Sequence, residues 1–396
     1  MSLLRAVVVG ASAAGLAAAD GLRDGGWAGT VTVLSAELHA PYDRSCLSKQ
    51  PLSSHEALDS AALRSPEHFT SQQINLYLGE WAVGVDIDRR LVVTNNGDGV
   101  PYDALIIATG SRPLRMATDS GERLPVLRDL DDLAQLRKLI APADPVSLIG
   151  GGLVGLEVAA ALRGRNIPVR VFDSGSTPLN AYMGDDIGRW CLGAHRAHGV
   201  DFRTGVKVVG VSGTHGDYRI KLEDGTNHRA ETILVGIGAQ PAVGWLRGSG
   251  VSLGPGVLCD AVGRTSVRDI WAAGDVAAFW DPKTSQRRRF DHWANAVEQG
   301  RQVGLNVARK AEDYTPQLRT FSIEQYAQTL HILGTRESGA VDVLVEGSLE
   351  SGRFVVAHTH GHDVVQAITA CGHDGRLGSY RALLARGAPL SDYRRW

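Results

Sequence analysis

The stretch PYDRSCLSK, residues 41 to 49, places a thiol, Cys46, between two cations, Arg44 and Lys49. Two chemistries are open to it. Flanking positive charge lowers a thiol's pKa and favours a reactive thiolate. Alternatively the cations hold an anionic group, and Cys46 is a small neighbour lining the site. A dithiol enzyme needs a resolving partner, yet Cys191, Cys259 and Cys371 are far off in sequence and no C-x-x-C occurs. The charges therefore carry the argument more than the thiol does. The same spacing offers no disulfide framework and no dedicated zinc or iron–sulfur site. In VVAHTHGHDVV, His358 and His360 share a face if the segment is a strand, but no acid completes a clear ligand set, so no metal is expected.

Two glycine-rich turns say what the cations could hold. In RAVVVGASAAGLAAADGL, a short apolar strand over residues 6 to 9 runs into Gly10, Ser12, Ala13, Ala14 and Gly15, then an alanine-rich helix. Gly10 would make the turn and Gly15 would let the helix close on the sheet, aiming unpaired N–H groups at a pyrophosphate. Ser12 stands where the fingerprint has its middle glycine, which weakens the motif. The second turn, LIGGGLVGLEVAAAL, has all three glycines, Gly150, Gly152 and Gly155, with Leu153 and Val154 opening the helix. Strands are expected over 146 to 149 and 169 to 172, with the helix running to about Arg165. Asp173 follows the second strand, where an acid hydrogen-bonds an adenosine ribose and repels a 2′-phosphate. Arg170 points to the opposite strand face, so NAD is favoured over NADP. At the first site the strand over 31 to 34 is followed by Glu37, either a ribose contact or an exposed loop acid.

These turns need a scaffold. YDALIIATGSRP predicts a strand ahead of Ala108, Thr109, Gly110 and Arg112, with Pro113 stopping a regular continuation. SVRDIWAAGDVA predicts another ahead of Gly274 and Asp275, where the aspartate could bind a flavin ribityl hydroxyl. The order is a nucleotide site, an inserted second nucleotide domain, then a return to the first. Two dinucleotides in one chain imply electron transfer between them, commonly as hydride from nicotinamide to flavin.

The bulk composition agrees. A chain of 396 residues exceeds one typical core, so two or three domains are expected. A net charge of -2 gives no support for nucleic-acid binding. No run of 18 uncharged apolar residues predicts a membrane span, and no signal peptide is read, so a cytoplasmic location is expected.

On VVVGASAAGLAAADGLR, PYDRSCLSK, YDALIIATGSRP, LIGGGLVGLEVAAAL, VGIGAQPAVGWL, IWAAGDVA, FDHWANAVEQG and FSIEQYAQTLHILG, the chain resembles the FAD-dependent, NADH-using ferredoxin reductases of P450 and aromatic dioxygenase systems, within the glutathione-reductase-like superfamily. The resemblance implies an α/β fold with two Rossmann-like dinucleotide-binding domains and a small α+β C-terminal domain. FAD would be bound by 1–115 and 246–320, NADH by 116–245, and 321–396 would cover the flavin side. It implies that Arg44 contacts the FAD pyrophosphate or adenine side, that Lys49 lies near flavin N5, and that Glu157 pairs with Lys49. Hydride arriving at N5 builds negative charge, which an ammonium stabilises. It also brings Gly238, His292 and Trp293 to the cofactor, although His292 and Trp293 could equally be structural.

The chain departs from that pattern at Ser45 and Cys46, where the family has two prolines, at Ser12, and at Ser322, where a flavin-side tryptophan is usual. The expected acceptor is an acidic [2Fe-2S] ferredoxin, docked by Arg287, Arg288 and Arg289 and serving a P450 or other oxygenase. A monomer or weak dimer is expected. An NADH oxidase or disulfide reductase, and a flavin-bound redox sensor, remain open as alternatives.

Overall fold

The structure, a computed structural model, describes residues 4–49, 52, 61–140, 144–282, 285–310, 318–361 and 363–394. Its chain divides into two units. One comprises Met1–Asp43, Asp59–Arg112 and Gln240–Gln317; the other comprises Arg44–Leu58, Pro113–Ala239 and Leu318–Trp396.

The first unit is built on five parallel strands in the order Ile270–Ala272, Ala104–Ile107, Arg5–Val9, Thr30–Ser35 and Ile74–Leu78. Ala6 to Val9 and Ala104 to Ile107 are buried along their whole length, which is why these strands read as unbroken apolar runs rather than alternating ones. The order reverses beside Arg5–Val9, and a doubly wound sheet opens its ligand crevice beyond the strand ends at such a point. Helix Ala13–Asp24 packs on this sheet and against helix Trp293–Arg309. Their approach is close: a Cβ on Gly300 would lie 2.1 Å from the Ala14 carbonyl oxygen. That contact ties the late helix to the first glycine turn.

In the second unit four parallel strands run in the order Asp201–Arg203, Val169–Phe172, Val146–Ile149 and Thr232–Val235. The two strands expected from sequence have the expected bounds. The helix between them, Leu153–Arg163, stops two residues before Arg165, because Gly164 caps it and Asn166 turns left-handed at φ 60°. A three-stranded antiparallel meander, Val208–Thr214, Asp217–Leu222 and Asn227–Ala230, follows the third parallel strand.

Residues 318–394 fold as a five-stranded antiparallel sheet in the order Thr320–Gln325, Gln328–Gly334, Val364–Cys371, Arg353–His360 and Val341–Ser348. Helix Leu377–Ala385 covers it, with Tyr380 and Leu383 packed among Leu333, Val355, Ala357 and Ile368. The first hairpin turns on Tyr326 (φ 48°) and Ala327 (φ 63°). Two-residue hairpins favour positive φ at both positions, but for non-glycine residues this stores strain that surrounding contacts must offset. They do so here. The Tyr326 hydroxyl lies 2.8 Å from His195 Nδ1, its ring stacks on His198 at 3.7 Å, and Gln325 Oε1 lies 3.0 Å from His195 Nε2. His195 is fully buried on helix Asn180–Ala197.

Candidate active site and nucleotide turns

Each glycine turn is shaped for close approach of a phosphate. Gly10 has φ 112°, and a Cβ there would lie 2.2 Å from the Ala108 carbonyl oxygen. Ser12 is the N-cap of helix Ala13–Asp24, yet its hydroxyl makes no capping bond. The first-turn N–H groups, on small buried residues including Ala13, Ala14 and Gly15, are therefore available to an anion. Thr109 donates to the Ala242 carbonyl at 3.0 Å and Gly110 has φ 67°, while Arg112 is exposed. Gly274 opens a short turn whose N–H is held by Gln299 Oε1 at 2.9 Å. The turn presents Asp275, whose Oδ2 accepts from the Ser111 hydroxyl at 3.0 Å. Glu37 is half-buried two residues beyond its strand and accepts a 2.7 Å bond from the Tyr42 hydroxyl. His292 caps helix Trp293–Arg309, and Trp293 packs against the core beneath the first turn. The first unit thus fits an extended dinucleotide such as FAD.

The second turn repeats the design. Gly150 has φ 107° and would put a Cβ 2.3 Å from the Gly236 carbonyl oxygen. Gly152 caps helix Leu153–Arg163 without any side-chain bond. Val154, in its first turn, is exposed, and Gly155 is buried. Gly238, at φ 112°, follows the fourth strand. Asp173 leans over this turn: a Cβ on Gly151 would lie 2.6 Å from Asp173 Oδ2. Burial pushes its carboxyl pKa up, against the backbone N–H groups of Gly175 and Ser174 that favour the ion. The nearby cations are committed elsewhere, since Arg170 and Arg203 both pair with Asp201, at 2.6 and 3.2 Å. An acid on the turn and cations turned away suit an unphosphorylated ribose, as in NAD.

Arg44, Cys46 and Lys49 belong to this second unit. Arg44 and Cys46 bound a single turn of 3-10 helix, with Arg44 Nη1 donating to the Arg128 carbonyl at 3.2 Å. The expected Lys49–Glu157 pair is replaced by a larger cluster. Lys49 Nζ lies 2.5 Å from Glu324 Oε1. Glu157 instead accepts from the buried Ser48 hydroxyl at 2.5 Å and from the Glu324 backbone N–H at 3.2 Å. Burial raises the Glu157 pKa, opposed by those two bonds and by the Lys49 charge. The physical reason is reach: the Ser48 hydroxyl and the Glu324 N–H occupy the two Glu157 oxygens, and the ammonium takes the Glu324 carboxylate. Sequence reasoning missed Ser48 and Glu324. For Glu324 the signal was strand alternation, which buries Phe321, Ile323 and Gln325 and turns Ser322 and Glu324 to the other face.

Two other expectations change. The three arginines are not equivalent: Arg289 turns inward, donating to the Asp275 carbonyl at 3.1 Å and lying 3.5 Å from Asp291. In the short strand Gln286–Arg288, Arg287 is exposed, over the Trp280 ring at 5.6 Å, and Arg288 is half-buried. His358 and His360 do not act together. His360 is exposed, whereas His358 is fully buried between Asp342 Oδ1 at 2.7 Å and the Thr369 hydroxyl at 2.8 Å. The acid missing from the sequence reading arrives from the neighbouring strand, but as a structural partner that Arg336 also bonds. No group of three or more potential metal ligands occurs among the described residues. Cys191 and Cys371 are buried with thiol pKa values pushed up to about 12 and about 11, unlike a dithiol pair poised to react.

The chain is similar to known proteins along most of its length. The model of the pyridine nucleotide-disulphide oxidoreductase family matches residues 4–300. The ferredoxin–NAD(+) reductase component of the p-cumate 2,3-dioxygenase system of Pseudomonas putida is 32% identical, across 90% of this chain and 85% of that protein. The corresponding component of the biphenyl dioxygenase system of Paraburkholderia xenovorans is 31% identical, across 92% and 88%. The crystal structure of a covalent putidaredoxin reductase–putidaredoxin complex superposes with a TM-score of 0.91 at 28% identity, covering 98% of this chain and 94% of that one. With both dinucleotide turns in place, the chain belongs to the pyridine nucleotide-disulphide oxidoreductase family and is an oxidoreductase that uses FAD and NAD(H).

Proposed function

We propose that this protein is an NADH-dependent ferredoxin reductase, passing electrons to an acidic [2Fe-2S] ferredoxin that serves a P450 or other oxygenase. The observation that carries the nucleotide side is Asp173 laid over Gly151 in the second glycine turn. The acceptor side rests on similarity to reductase components that work with ferredoxins. When bound, FAD supplies the chemistry that couples the two, accepting a hydride and releasing its electrons singly.

The chain's own residues have separable tasks. Asp173 holds the adenosine ribose of NADH, and the N-terminus of helix Leu153–Arg163 holds its pyrophosphate. The N-terminus of helix Ala13–Asp24 does the same for FAD, with Asp275 at the ribityl chain and Glu37 at the ribose. Lys49 would supply positive charge to a flavin accepting the hydride, and no proton donor is required, because the transfer depends on juxtaposition and orientation. Arg287 and Arg288 supply steering charge for an acidic partner, and Arg289 is withdrawn from that role by its bonds to the Asp275 turn. Four unlinked thiols suit the reducing cytoplasm.

Anaerobic titration of the yellow holoprotein with NADH, followed by mixing with candidate ferredoxins, tests the whole. Bleaching by NADH and recovery of colour on adding ferredoxin are expected. A flavin that NADH fails to bleach ends the reductase reading, and bleaching that only oxygen or a disulfide reverses ends the ferredoxin claim.

A further inference from the structure

The resemblance supplies Lys49 with one counter-ion, Glu157; the structure puts another carboxylate against it. Glu324 Oε1 lies 2.5 Å from Lys49 Nζ although the two are 275 positions apart. The Lys49 side chain is 23% exposed and that of Glu324 is 53% exposed. An ion pair so open to water contributes little to folding, typically about 0–1 kcal/mol, so stability does not account for it. Position does. The Glu324 backbone is fixed from within, because its N–H donates to half-buried Glu157. It is fixed from beyond, because Gln325 and Tyr326 are locked onto His195. One residue therefore uses its main chain to hold one member of the cluster and its side chain to hold another.

We propose that Glu324 is the positioning residue for Lys49: it fixes where the ammonium sits and how much positive charge it offers the flavin. The proposal rests on the reading of Lys49 given above. Glu157 then acts one step back, as the anchor of the Glu324 main chain, with Ser48 holding its second oxygen. The Glu324 carboxylate is the one paired with the ammonium and offsets its charge. Removing the Glu324 charge would leave Lys49 more positive toward its surroundings and make flavin reduction easier. Ser322 lies on the same strand face as Glu324. With serine in place of the usual flavin-side tryptophan, that face is left to the charged side chain.

Glu324→Gln tests this, since it keeps the size and the main-chain bond to Glu157. Two readouts avoid turnover altogether. The first is the rate at which an amine-reactive reagent labels Lys49 in the oxidised holoprotein, followed by peptide mass mapping. The second is the flavin midpoint potential. Labelling is expected to rise severalfold in Glu324→Gln. The reduction equilibrium should shift about tenfold toward reduced flavin, about 30 mV for two electrons. Glu324→Asp, which keeps the charge on a shorter arm, should fall between. Wild-type labelling in Glu324→Gln, with the increase appearing in Glu157→Gln instead, overturns the proposal. Lys49→Met separates the two readings. If it reduces flavin at the wild-type rate while Glu324→Gln still exposes Lys49 to label, the pairing stands and the role given to Lys49 falls. If the potential shift of Glu324→Gln persists in a Lys49→Met background, Glu324 does not act through Lys49 and the proposal fails.

Discussion

Single atoms decide what the second glycine turn accepts. A methyl group on Gly151 would meet Asp173 Oδ2 at 2.6 Å and Phe202 Cζ at 2.8 Å, so Gly151→Ala must displace the acid. It is expected to raise the KM for NADH roughly tenfold, an effect of about 1.4 kcal/mol, with FAD content unchanged. Asp173→Ala should do the same and narrow the preference over NADPH. Steady-state kinetics beside flavin absorbance check both. Glu157 gives a second expectation, in stability. Its folded pKa is raised, so its favourable contribution is present at low pH and is lost as pH rises through that pKa. Glu157→Gln, able to accept from the Glu324 N–H and donate to Ser48, should therefore melt higher than wild type at pH 8. The difference should close toward pH 4. Gly150, Gly152, Gly155 and Asp173 were legible because a dinucleotide fixes both residue type and spacing. Glu324 was not, because its partner is Lys49, hundreds of residues away, and no local rule brings the two together.

Among elements, the hairpin ending at Gln325 and starting again at Gln328 is held under strain. Two non-glycine residues with positive φ persist there because His195, on helix Asn180–Ala197, engages Gln325 and Tyr326. Burial pushes the His195 pKa down to about 4, with a smaller lowering from His198 and an opposing bond to Gln325. A histidine held neutral in the fold keeps its contribution above its unfolded pKa near 6.5. It loses that contribution as pH falls, by about 3 kcal/mol at pH 4. His195→Gln should be less stable than wild type at pH 7.5 and lose less on acidification to pH 4.5, as followed by thermal melts across that range. Unbroken apolar runs made the parallel sheets readable, since burial on both faces leaves a direct trace in composition. The His195 clamp left none: a lone histidine in a helix looks the same whether it meets solvent or a tyrosine.

For the molecule as a whole, the proposed steering of an acidic partner is the reading most open to test. Arg287 is exposed over Trp280, whereas Arg289 is committed to the Asp275 turn. Arg287→Glu should slow ferredoxin reduction about tenfold at low salt and much less at high salt, as expected for steering. NADH should still bleach the flavin at the wild-type rate in stopped flow. Arg289→Glu should instead lower FAD content, because the turn that presents Asp275 loses its brace. The parallel sheet of the first unit has a different consequence, in the order of synthesis. Strand Ala104–Ile107 pairs on one side with Arg5–Val9 and on the other with Ile270–Ala272, which leaves the ribosome more than 160 residues later. At about 5–20 residues per second that is a wait on the order of ten seconds. For that interval the edge of a fully apolar strand lacks its second native partner in the nascent chain, a template for mispairing.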